Sequence, residues 1–210
     1  MPNAPIENVI FDMGNVLMTF DGERFARAFT ENEDDARLLH AALFGRTEWA
    51  LLDAGVIGHG TMRRLAEAAL PERLHGALRE CIARWPERSE PIGAVNDLAA
   101  RLKQRGLGVY LLSNASTRIH EQLDRMPAWP LMDGCVVSAF ERIMKPDPAI
   151  YLLLCERYGL DPASCLFVDD SADNCAGAEA AGMRSFHFTG TSAGDVDGCT
   201  AALERAILAR

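Results

Sequence analysis

Three short apolar runs in the sequence each end in side chains that carry oxygen or nitrogen donors. Those side chains are Asp12, Ser113 with Asn114, and Asp169 with Asp170. Apolar runs of this length, rich in β-branched residues, are typical of strands buried in a parallel sheet. Because the carboxyl ends of parallel strands lie at one edge of the sheet, we expect these polar side chains to converge there.

Side chains of these types, placed together, could bind a divalent cation. Adjacent carboxylates such as Asp169 and Asp170 repel one another, so they share a cleft only with a proton or a cation. Mg²⁺ prefers oxygen ligands of this kind, and it completes its coordination with water and phosphate oxygens. Lys145 precedes the helix start at Asp147 and Pro148, where it could add a positive charge. The pattern therefore favours a site for a phosphorylated ligand and a divalent cation.

Each of these residues also has an ordinary structural explanation when it is taken singly. An aspartate after a strand most often caps a helix or forms a turn. Ser113 and Asn114 could cap the helix predicted over 117–126, and an isolated Lys145 is most often a solvated surface residue. It is their joint occurrence at one edge of the sheet, in a fixed order along the chain, that favours a functional site.

The elements that must position these residues alternate between strands and helices. Strands are predicted at 9–11, 108–112, 135–137, 166–168 and 185–188, and helices stand between most of them. This alternation predicts an α/β fold, with a parallel sheet covered on both faces by helices. The polar stretch 190–198 is expected to be a loop that precedes a short final helix.

Residues 21–88 follow a different pattern, which we call the helical insertion. Apolar residues recur there at helical spacing over about 65 residues, and nothing indicates a strand. The insertion ends near Pro86 and Pro91. We therefore expect two units, a core formed by 1–20 and 89–210 and an inserted helical domain formed by 21–88.

Four segments of the chain resemble, in order, the four motifs of the haloacid dehalogenase-like (HAD) hydrolase superfamily. They are residues 11–16 (FDMGNV), 111–114 (LLSN), 145–151 (KPDPAIY) and 167–174 (FVDDSADN). The resemblance implies a Rossmann-like three-layer sandwich with a central parallel sheet and an inserted all-helical C1-type cap. Within the superfamily the motifs look most like the branch of bacterial sugar-phosphate phosphatases that includes α-D-glucose-1-phosphate phosphatase.

The resemblance also implies a role for each matching residue in a Mg²⁺-dependent phosphatase that passes through an aspartyl-phosphate on Asp12. The implied catalytic residues are Asp12, Ser113 and Lys145. The implied substrate ligands are Asn15, Ser113, Asn114 and Lys145. The implied metal ligands are Asp12, the backbone carbonyl of Gly14, Asp170, and Asp169 directly or through water. The implied substrate is a small phosphorylated metabolite, with a sugar phosphate favoured by the branch.

Gly14 departs from the pattern of many phosphatases of this superfamily, which carry a second aspartate two residues after the nucleophile as general acid and base. Gly14 cannot protonate a leaving alcohol, and the loss of a general acid typically costs about 10²–10⁴ in rate. Asp21 or another residue of the helical insertion could replace it. Alternatively, the substrate could be an anomeric phosphate, whose leaving group needs less help.

Composition narrows the possible partners. The net charge of -9 disfavours binding to nucleic acid, which depends on a basic face. The six cysteines form no metal-binding pattern, and we expect buried, reduced thiols. The N-terminus does not resemble a signal peptide and no apolar run is long enough to cross a membrane, so we expect a cytoplasmic protein without a membrane partner. The sequence leaves the oligomeric state open.

Two other functions are kept as alternatives. A non-catalytic ligand-binding or interaction module on the same fold is motivated by Gly14. A haloacid dehalogenase would need the aspartate nucleophile but no metal, so the pair Asp169 and Asp170 would be a liability. In the helical insertion, His59, Trp49 and Phe44 could face a substrate, although structural roles are the expectation for all three.

Overall fold

The computed structural model describes residues 5–208 of the chain. Its centre is a sheet of five parallel strands. The strands are β1 (Asn8–Phe11), β2 (Gly108–Ser113), β3 (Gly134–Val137), β4 (Cys165–Asp169) and β5 (Arg184–His187). In space they follow the order β3-β2-β1-β4-β5, with β1 in the middle. The predicted parallel sheet is therefore confirmed.

Twelve α-helices are present among the described residues. They are α1 (Gly22–Arg27), α2 (Glu33–Ala42), α3 (Thr47–Asp53), α4 (His59–Ala68), α5 (His75–Arg84), α6 (Gly93–Gln104), α7 (His120–Leu123), α8 (Ser138–Glu141), α9 (Pro148–Tyr158), α10 (Ala172–Ala180), α11 (Gly190–Ala193) and α12 (Val196–Leu208). Short 3₁₀ helices lie at Glu72–Leu74, Trp85–Arg88, Trp129–Leu131 and Pro162–Ser164.

The two faces of the sheet are covered by different helices, as the alternation of side chains along a strand requires. On one face Val9 packs in an apolar cluster with Leu98 of α6 and Leu203 of α12. On the other face Ile10 packs in a second cluster with Leu154 of α9 and with residues of α10. This arrangement of helix, sheet and helix is the predicted three-layer sandwich, which is confirmed.

The register of the sheet determines where the polar strand ends meet. Phe11 lies beside Leu111 of β2 and beside Val168 of β4. Asp12 is the next residue along the chain, so it emerges between the carboxyl ends of the two neighbouring strands. The central place of β1 thus puts Asp12 at the middle of the sheet edge.

Helices α1 to α5 all lie in the helical insertion, and no strand occurs in residues 21–88. Their inner faces form a third apolar cluster, separate from the two that flank the sheet, with Leu39, Leu43, Met62, Leu78 and Cys81 among its buried members. The insertion therefore has an apolar core of its own.

The two chain segments that enter and leave the helical insertion are hydrogen-bonded to each other. The Thr19 N–H donates to the Glu90 carbonyl (2.8 Å), and the Glu90 N–H donates to Thr19 Oγ1 (2.9 Å). The buried Ser89 hydroxyl donates to the Thr19 carbonyl (2.7 Å). The resemblance to the HAD superfamily also implies that the insertion opens and closes about hinges near Phe20 and Ser89, which lie at this paired stretch, and that movement stays a prediction.

Two local predictions were wrong. The helix predicted over 117–126 is only the short α7, because the N–H groups of Ile119, Arg125 and Met126 on either side donate to carbonyls three residues back, as in turns. The stretch 190–198, predicted as a loop, contains α11 and the start of α12. There the Asp195 carboxylate accepts from the Gly198 N–H (3.0 Å) and caps α12.

The six cysteines are free, four of them buried and two half-buried. Within residues 5–208 no helix combines the length and the hydropathy that crossing a membrane requires.

Candidate functional site

The carboxyl edge of the sheet brings the acidic residues together. Asp12 follows β1, Asp169 ends β4 and Asp170 follows it. One carboxylate oxygen from each of the three lies within 4.8 Å of the others. Ser113 ends β2 at the same edge and is buried. The side chains that follow three separate strands in the sequence therefore share one site.

Lys145 lies inside this acidic cluster rather than at the surface. Its ammonium donates to Asp12 Oδ1 (2.7 Å) and to Asp169 Oδ2 (2.6 Å), and the residue is only 3% exposed. Burial opposes the charged form of Lys145, but the two carboxylates outweigh it and raise the pKa of the lysine. The ammonium therefore stays charged between two anions.

Asp12 has an unusual pKa for an aspartate. Burial raises the pKa of its carboxyl to about 6, Lys145 opposes the rise, and the charges of Asp169 and Asp170 add to it. Asp12 Oδ1 is held by Lys145. Oδ2 accepts no hydrogen bond from residues 5–208, so this oxygen is left for a ligand or for nucleophilic attack.

Asp169 is fully buried and its oxygens are already occupied. Oδ1 accepts from the Ser171 N–H (2.8 Å) and from Asn174 Nδ2 (3.0 Å), and Oδ2 accepts from Lys145 and Asn174 (3.1 Å). These bonds hold Asp169 as a fixed counter-charge to Lys145. Asp169 was predicted to bind a metal either directly or through water, and these hydrogen bonds favour the role through water.

Asp170 is oriented by Asn15, whose Nδ2 donates to Asp170 Oδ2 (3.1 Å). Asn15 Oδ1 accepts from the Phe20 N–H (3.0 Å), and the residue lies in the left-handed region at φ 55°. Burial raises the pKa of Asp170, and Asn15 opposes this rise. The Asn15 side chain thus positions Asp170, whereas its predicted contact with substrate stays a prediction.

Asn114 is engaged in a similar way. Its Nδ2 donates to the Lys145 carbonyl (2.9 Å), and its Oδ1 accepts from the Lys145 N–H (2.9 Å). One donor and one acceptor of the side chain are thus engaged by the lysine backbone and not by the following helix, while the predicted contact of Asn114 with substrate stays a prediction. Asn114 therefore connects the end of β2 to the loop that delivers Lys145.

A glycine on α10 allows that loop to approach closely. A Cβ atom added to Gly177 would lie 2.3 Å from the Pro146 carbonyl oxygen. Pro146 follows Lys145 directly. The absence of a side chain at Gly177 is thus what lets the chain beside Lys145 pack on the helix.

A cavity of about 210 Å³ opens from the acidic cluster towards the helical insertion. Asp12, Ser113, Lys145 and Asp170 lie at its sheet end. Most of the other lining residues are apolar and come from the insertion or from the segment after β2. The helical insertion therefore covers the site instead of lying beside it.

Asp53, at the last turn of α3, lines the same cavity as Asp12. Burial raises the pKa of its carboxyl to about 7, with Trp49 and the Ser116 backbone opposing the rise and Asp12 adding to it. The backbone carbonyl of Asp53 accepts from the buried Ser138 hydroxyl of the core (2.5 Å). The sequence Asp-Ala-Gly at 53–55 is typical of a helix end and by itself does not indicate this carboxyl. A search for acidic residues in the insertion, prompted by Gly14, could have found it.

Asp21, predicted as one possible replacement for the missing acid, has another role. Its Oδ1 accepts from the Arg24 N–H (3.0 Å) and caps α1. The residue is exposed and does not line the cavity. Of Asp21 and Asp53, it is therefore Asp53 that lines the cavity with Asp12.

His59, at the first turn of α4, also lines the cavity. Its buried Nε2 has no hydrogen-bond partner within residues 5–208. Burial and the nearby Arg118 lower the pKa of the imidazole, so the ring is neutral at physiological pH. A buried ring nitrogen without a partner is a position where a ligand can form a hydrogen bond.

These contacts also show which residues could hold a divalent cation. Asp12 retains Oδ2, and Asp170 has only one of its oxygens held by Asn15. Oxygen donors at this spacing suit Mg²⁺. The same region offers the buried Lys145 ammonium and the Ser113 hydroxyl to an anion. The arrangement fits an anionic ligand, a cation and a carboxylate nucleophile in one place.

A sequence model of the haloacid dehalogenase-like hydrolase family matches residues 6–182. Sesquiterpene phosphatase astK of Aspergillus oryzae is 34% identical over 100 residues, which are 47% of this chain and 51% of that protein. Phosphatase MT3486 of Mycobacterium tuberculosis is 29% identical over 194 residues, or 86% of each chain. The (S)-2-haloacid dehalogenase 4A of Burkholderia cepacia is 30% identical over 122 residues, or 55% of this chain and 47% of that enzyme. This chain thus spans only about half of two of these relatives.

Among solved structures, the HAD family enzyme bt-2542 of Bacteroides thetaiotaomicron, in complex with magnesium and inorganic phosphate, superposes with a TM-score of 0.66. The two chains are 20% identical, and the match covers 86% of this chain and 93% of that one. The fold and the site define a hydrolase built around an aspartate at the edge of a parallel sheet. The chain belongs to the haloacid dehalogenase-like hydrolase family, so this prediction is confirmed.

The close approach at Gly177 yields a test of how Lys145 is positioned. We expect Gly177→Ala to lower the free energy of unfolding by about 1–3 kcal/mol, because the new Cβ collides with the Pro146 carbonyl. Gly76→Ala is the matched control, since Gly76 is also helical but has nothing within 4 Å of an added Cβ. The control should be neutral or stabilising by about 0.5 kcal/mol. Equal stability of the two variants in urea unfolding would contradict this account.

Proposed function

We propose that this protein is a Mg²⁺-dependent phosphatase that hydrolyses a small phosphorylated metabolite through an aspartyl-phosphate on Asp12. One observation carries the proposal: the buried Lys145 ammonium holds Asp12 Oδ1 at 2.7 Å and leaves the other oxygen to the cavity. A carboxylate held in this way is both ionised and oriented, as a nucleophile must be.

The chain's own residues account for most of the proposed reaction. An Asp12 carboxylate oxygen forms a bond to phosphorus while the bond from phosphorus to the leaving oxygen breaks. Water then hydrolyses the acyl-phosphate, releasing phosphate and restoring Asp12. Lys145 and the Ser113 hydroxyl would hold the phosphate oxygens, since positioning and charge stabilisation dominate phosphoryl transfer. When bound, Mg²⁺ supplies positive charge that offsets the repulsion between Asp12 and the phosphate.

The residues present fit that cation. Asp12 and Asp170 each keep a carboxylate oxygen for it, and Asp169, whose oxygens already accept from Lys145 and Asn174, would act on it through water. We also retain the Gly14 carbonyl as a proposed ligand. The magnesium and phosphate in the bt-2542 complex, a protein with the same fold, support the proposal.

We propose that the helical insertion, 21–88, acts as a cap over a catalytic core formed by 1–20 and 89–210. Its apolar cluster is separate from those of the sheet, and its residues line the cavity above Asp12. A cover of this kind excludes water from the reacting groups.

We further propose that Asp53 replaces the general acid that is missing at Gly14. Asp53 lines the cavity that contains Asp12, and burial raises its pKa to about 7. A carboxyl with a pKa near neutrality carries a proton for part of the time and can return it, which suits a general acid and base. The anomeric leaving group suggested by Gly14 is then unnecessary.

The named relatives support a phosphatase but do not agree on a substrate. They include a sesquiterpene phosphatase, a phosphatase from Mycobacterium tuberculosis and a phosphoglycolate phosphatase from Pseudomonas putida. The sugar phosphate predicted from the resemblance remains one candidate.

A dehalogenase is the second candidate, favoured only by the 30% identity to haloacid dehalogenase 4A. The repulsion within the acidic cluster counts against a reaction without a cation. A non-catalytic module would release no phosphate, so an assay of phosphate release distinguishes it from both enzymes.

The direct test is phosphate release from a panel of sugar phosphates, nucleotides, alkyl phosphates and acyl phosphates, with Mg²⁺ and with a chelator. We expect turnover with Mg²⁺ only, and loss of turnover in Asp12→Asn because the amide is a poor nucleophile. Asp197→Asn, an exposed position in α12, is the control and should be fully active. No phosphate release from any compound would reject the phosphatase, and release of halide from a 2-haloacid in the presence of the chelator would then point to the dehalogenase, whereas neither product would leave the non-catalytic module.

Binding of Mg²⁺ should depend on pH in a defined direction. The pKa of Asp12 is about 6 in the metal-free protein, so below that pH a proton competes with the cation for its carboxylate. We expect Mg²⁺ to raise the Tm above about pH 7, and the rise to shrink as the pH falls through about 6. Asp170→Asn should weaken the rise at every pH, whereas Asp197→Asn should keep it. A Tm rise that does not depend on pH would contradict the assignment of Asp12 as a ligand.

The role of Asp53 can be tested with two leaving groups. We expect Asp53→Asn to lower kcat for an alkyl phosphate by about 10²–10⁴, but to affect acetyl phosphate little, because acetate leaves without protonation. With wild type, turnover of the alkyl ester should fall as the pH rises through about 7, where Asp53 loses its proton, and this decline should vanish in Asp53→Asn.

A second substitution makes this test sharper. A Cβ at Gly14 would meet no atom closer than 3.8 Å, so Gly14→Asp is sterically allowed. In the Asp53→Asn background it should restore part of the lost alkyl-phosphate turnover, because a carboxyl returns near the leaving oxygen. Equal losses for both leaving groups would show that Asp53 is only structural.

A further inference from the structure

The part of the cavity beyond the phosphate end is bounded mainly by hydrocarbon. Its walls include Phe20, Trp49, Met62, Ile82, Trp85 and Ile119. The aromatic rings hold one another in place: Phe20 lies 6.0 Å from Trp49 and 5.6 Å from Trp85, measured between ring centroids. This wall is therefore preformed, and it faces the position that a leaving group would occupy.

Aromatic walls alone do not distinguish a hydrocarbon from a sugar, because sugar rings also stack on aromatic faces. The polar groups of the wall do distinguish them. A sugar presents several hydroxyl groups, and each hydroxyl that is buried without a partner costs about a factor of ten in affinity. A sugar-binding cavity must therefore offer several free donors and acceptors.

Most polar side chains in this part of the cavity are already engaged by the protein. Four of the five Arg118 N–H groups donate to the Glu121 carboxylate and to the carbonyls of Ile82 and Ala83. The Gln122 amide donates to Ser89 Oγ (3.4 Å). These bonds connect the helical insertion to the core, and using them for a ligand would break that connection.

Capacity to bind a ligand remains at His59, at Asp53 and at Gln122, whose amide oxygen accepts no hydrogen bond within residues 5–208. The His59 Nε2 has no partner within the described part of the chain, and Asp53 carries the carboxyl proposed above as the proton donor. If Asp53 protonates the leaving oxygen, His59 and Gln122 are left to meet polar groups further along the ligand. The wall therefore suits a leaving group with few polar groups beyond its ester oxygen.

From this distribution we propose that the substrate is the monophosphate ester of a largely apolar alcohol, whose hydrocarbon part lies against Phe20, Met62 and Trp85. The proposal rests on the phosphatase function proposed above. It replaces the sugar phosphate as the preferred substrate class. The phosphate would lie at the sheet end and the hydrocarbon under the helical insertion.

The test compares two esters of primary alcohols, n-octyl phosphate and glucose 6-phosphate, with acetyl phosphate as a reference that lacks a large leaving group. We expect kcat/KM for octyl phosphate to exceed that for glucose 6-phosphate by about a hundredfold or more, since at least two hydroxyls of glucose would lack partners. Equal or better turnover of glucose 6-phosphate would overturn the proposal while leaving the phosphatase function intact.

Variants locate the effect in the cavity. Met62→Gln places an amide in the wall and should lower the ratio of kcat/KM for octyl phosphate to that for acetyl phosphate by about tenfold. Leu38→Gln, on α2 at a position that is 43% exposed and outside the cavity, should leave this ratio unchanged. Equal ratios in wild type and Met62→Gln would count against the proposal.

A binding measurement keeps the proposal testable if no ester is hydrolysed. Failure of all three esters, acetyl phosphate included, would reject the phosphatase function. Titration with n-octanol should still change the tryptophan emission, because Trp49 and Trp85 line the cavity, and glucose should not change it. An emission change with glucose but not with octanol, or no change with either, would overturn the apolar assignment as well.

Discussion

The site depends on one buried ion pair network, in which the Lys145 ammonium lies between Asp12 and Asp169. The ammonium is almost fully buried, and breaking a buried pair by removing one partner leaves an uncompensated charge. Three carboxylates surround one cation, so the cluster carries excess negative charge. The excess explains why burial and like charges raise the pKa of Asp12, and it shows where a divalent cation would offset most repulsion.

Much of the remaining structure serves to hold that network in place. Asn114 fixes the backbone of Lys145, Asn174 and the Ser171 N–H fix Asp169, and Asn15 fixes Asp170. Amide side chains suit this task, since each offers donors and an acceptor without adding charge to a crowded site. Asn15 and Asn114, which the sequence motifs present as ligand contacts, therefore also position the charged residues of the site.

The sequence was sufficient to predict the fold and the acidic edge of the site. The apolar runs before Asp12, Ser113 and Asp169 have the length and composition of buried strands, and these strands predict the parallel sheet. The role of Asn114 could not be predicted in the same way, because a side chain that bonds a backbone 31 residues away leaves no local pattern.

The helical structure of the insertion could be predicted from the sequence, but which of its residues line the cavity could not. Helical periodicity reveals which residues face inward, yet inward positions of the insertion line either its own cluster or the cavity. Met62 belongs to both. Asp53 resembled an ordinary helix end because its environment depends on the packing of the insertion against Ser138 and Ser116, which no nearby residue indicates.

The place of Asp53 on the insertion has a mechanistic consequence that a second aspartate at position 14 would not have. An acid on the strand loop stays beside the nucleophile whatever the insertion does. The turn that carries Asp53 is held against the core by the bond from Ser138 to its backbone carbonyl and by the close approach of Gly55, at φ 68°, to Ala139. With Asp53 as the proposed proton donor, protonation of the leaving group would be available while the insertion covers the site, so that bulk water would be kept from the phosphate as the aspartyl-phosphate forms and would enter for its hydrolysis. A proton donor on the insertion, and not on the core, would thus couple the covered state of the cavity to the departure of the leaving group.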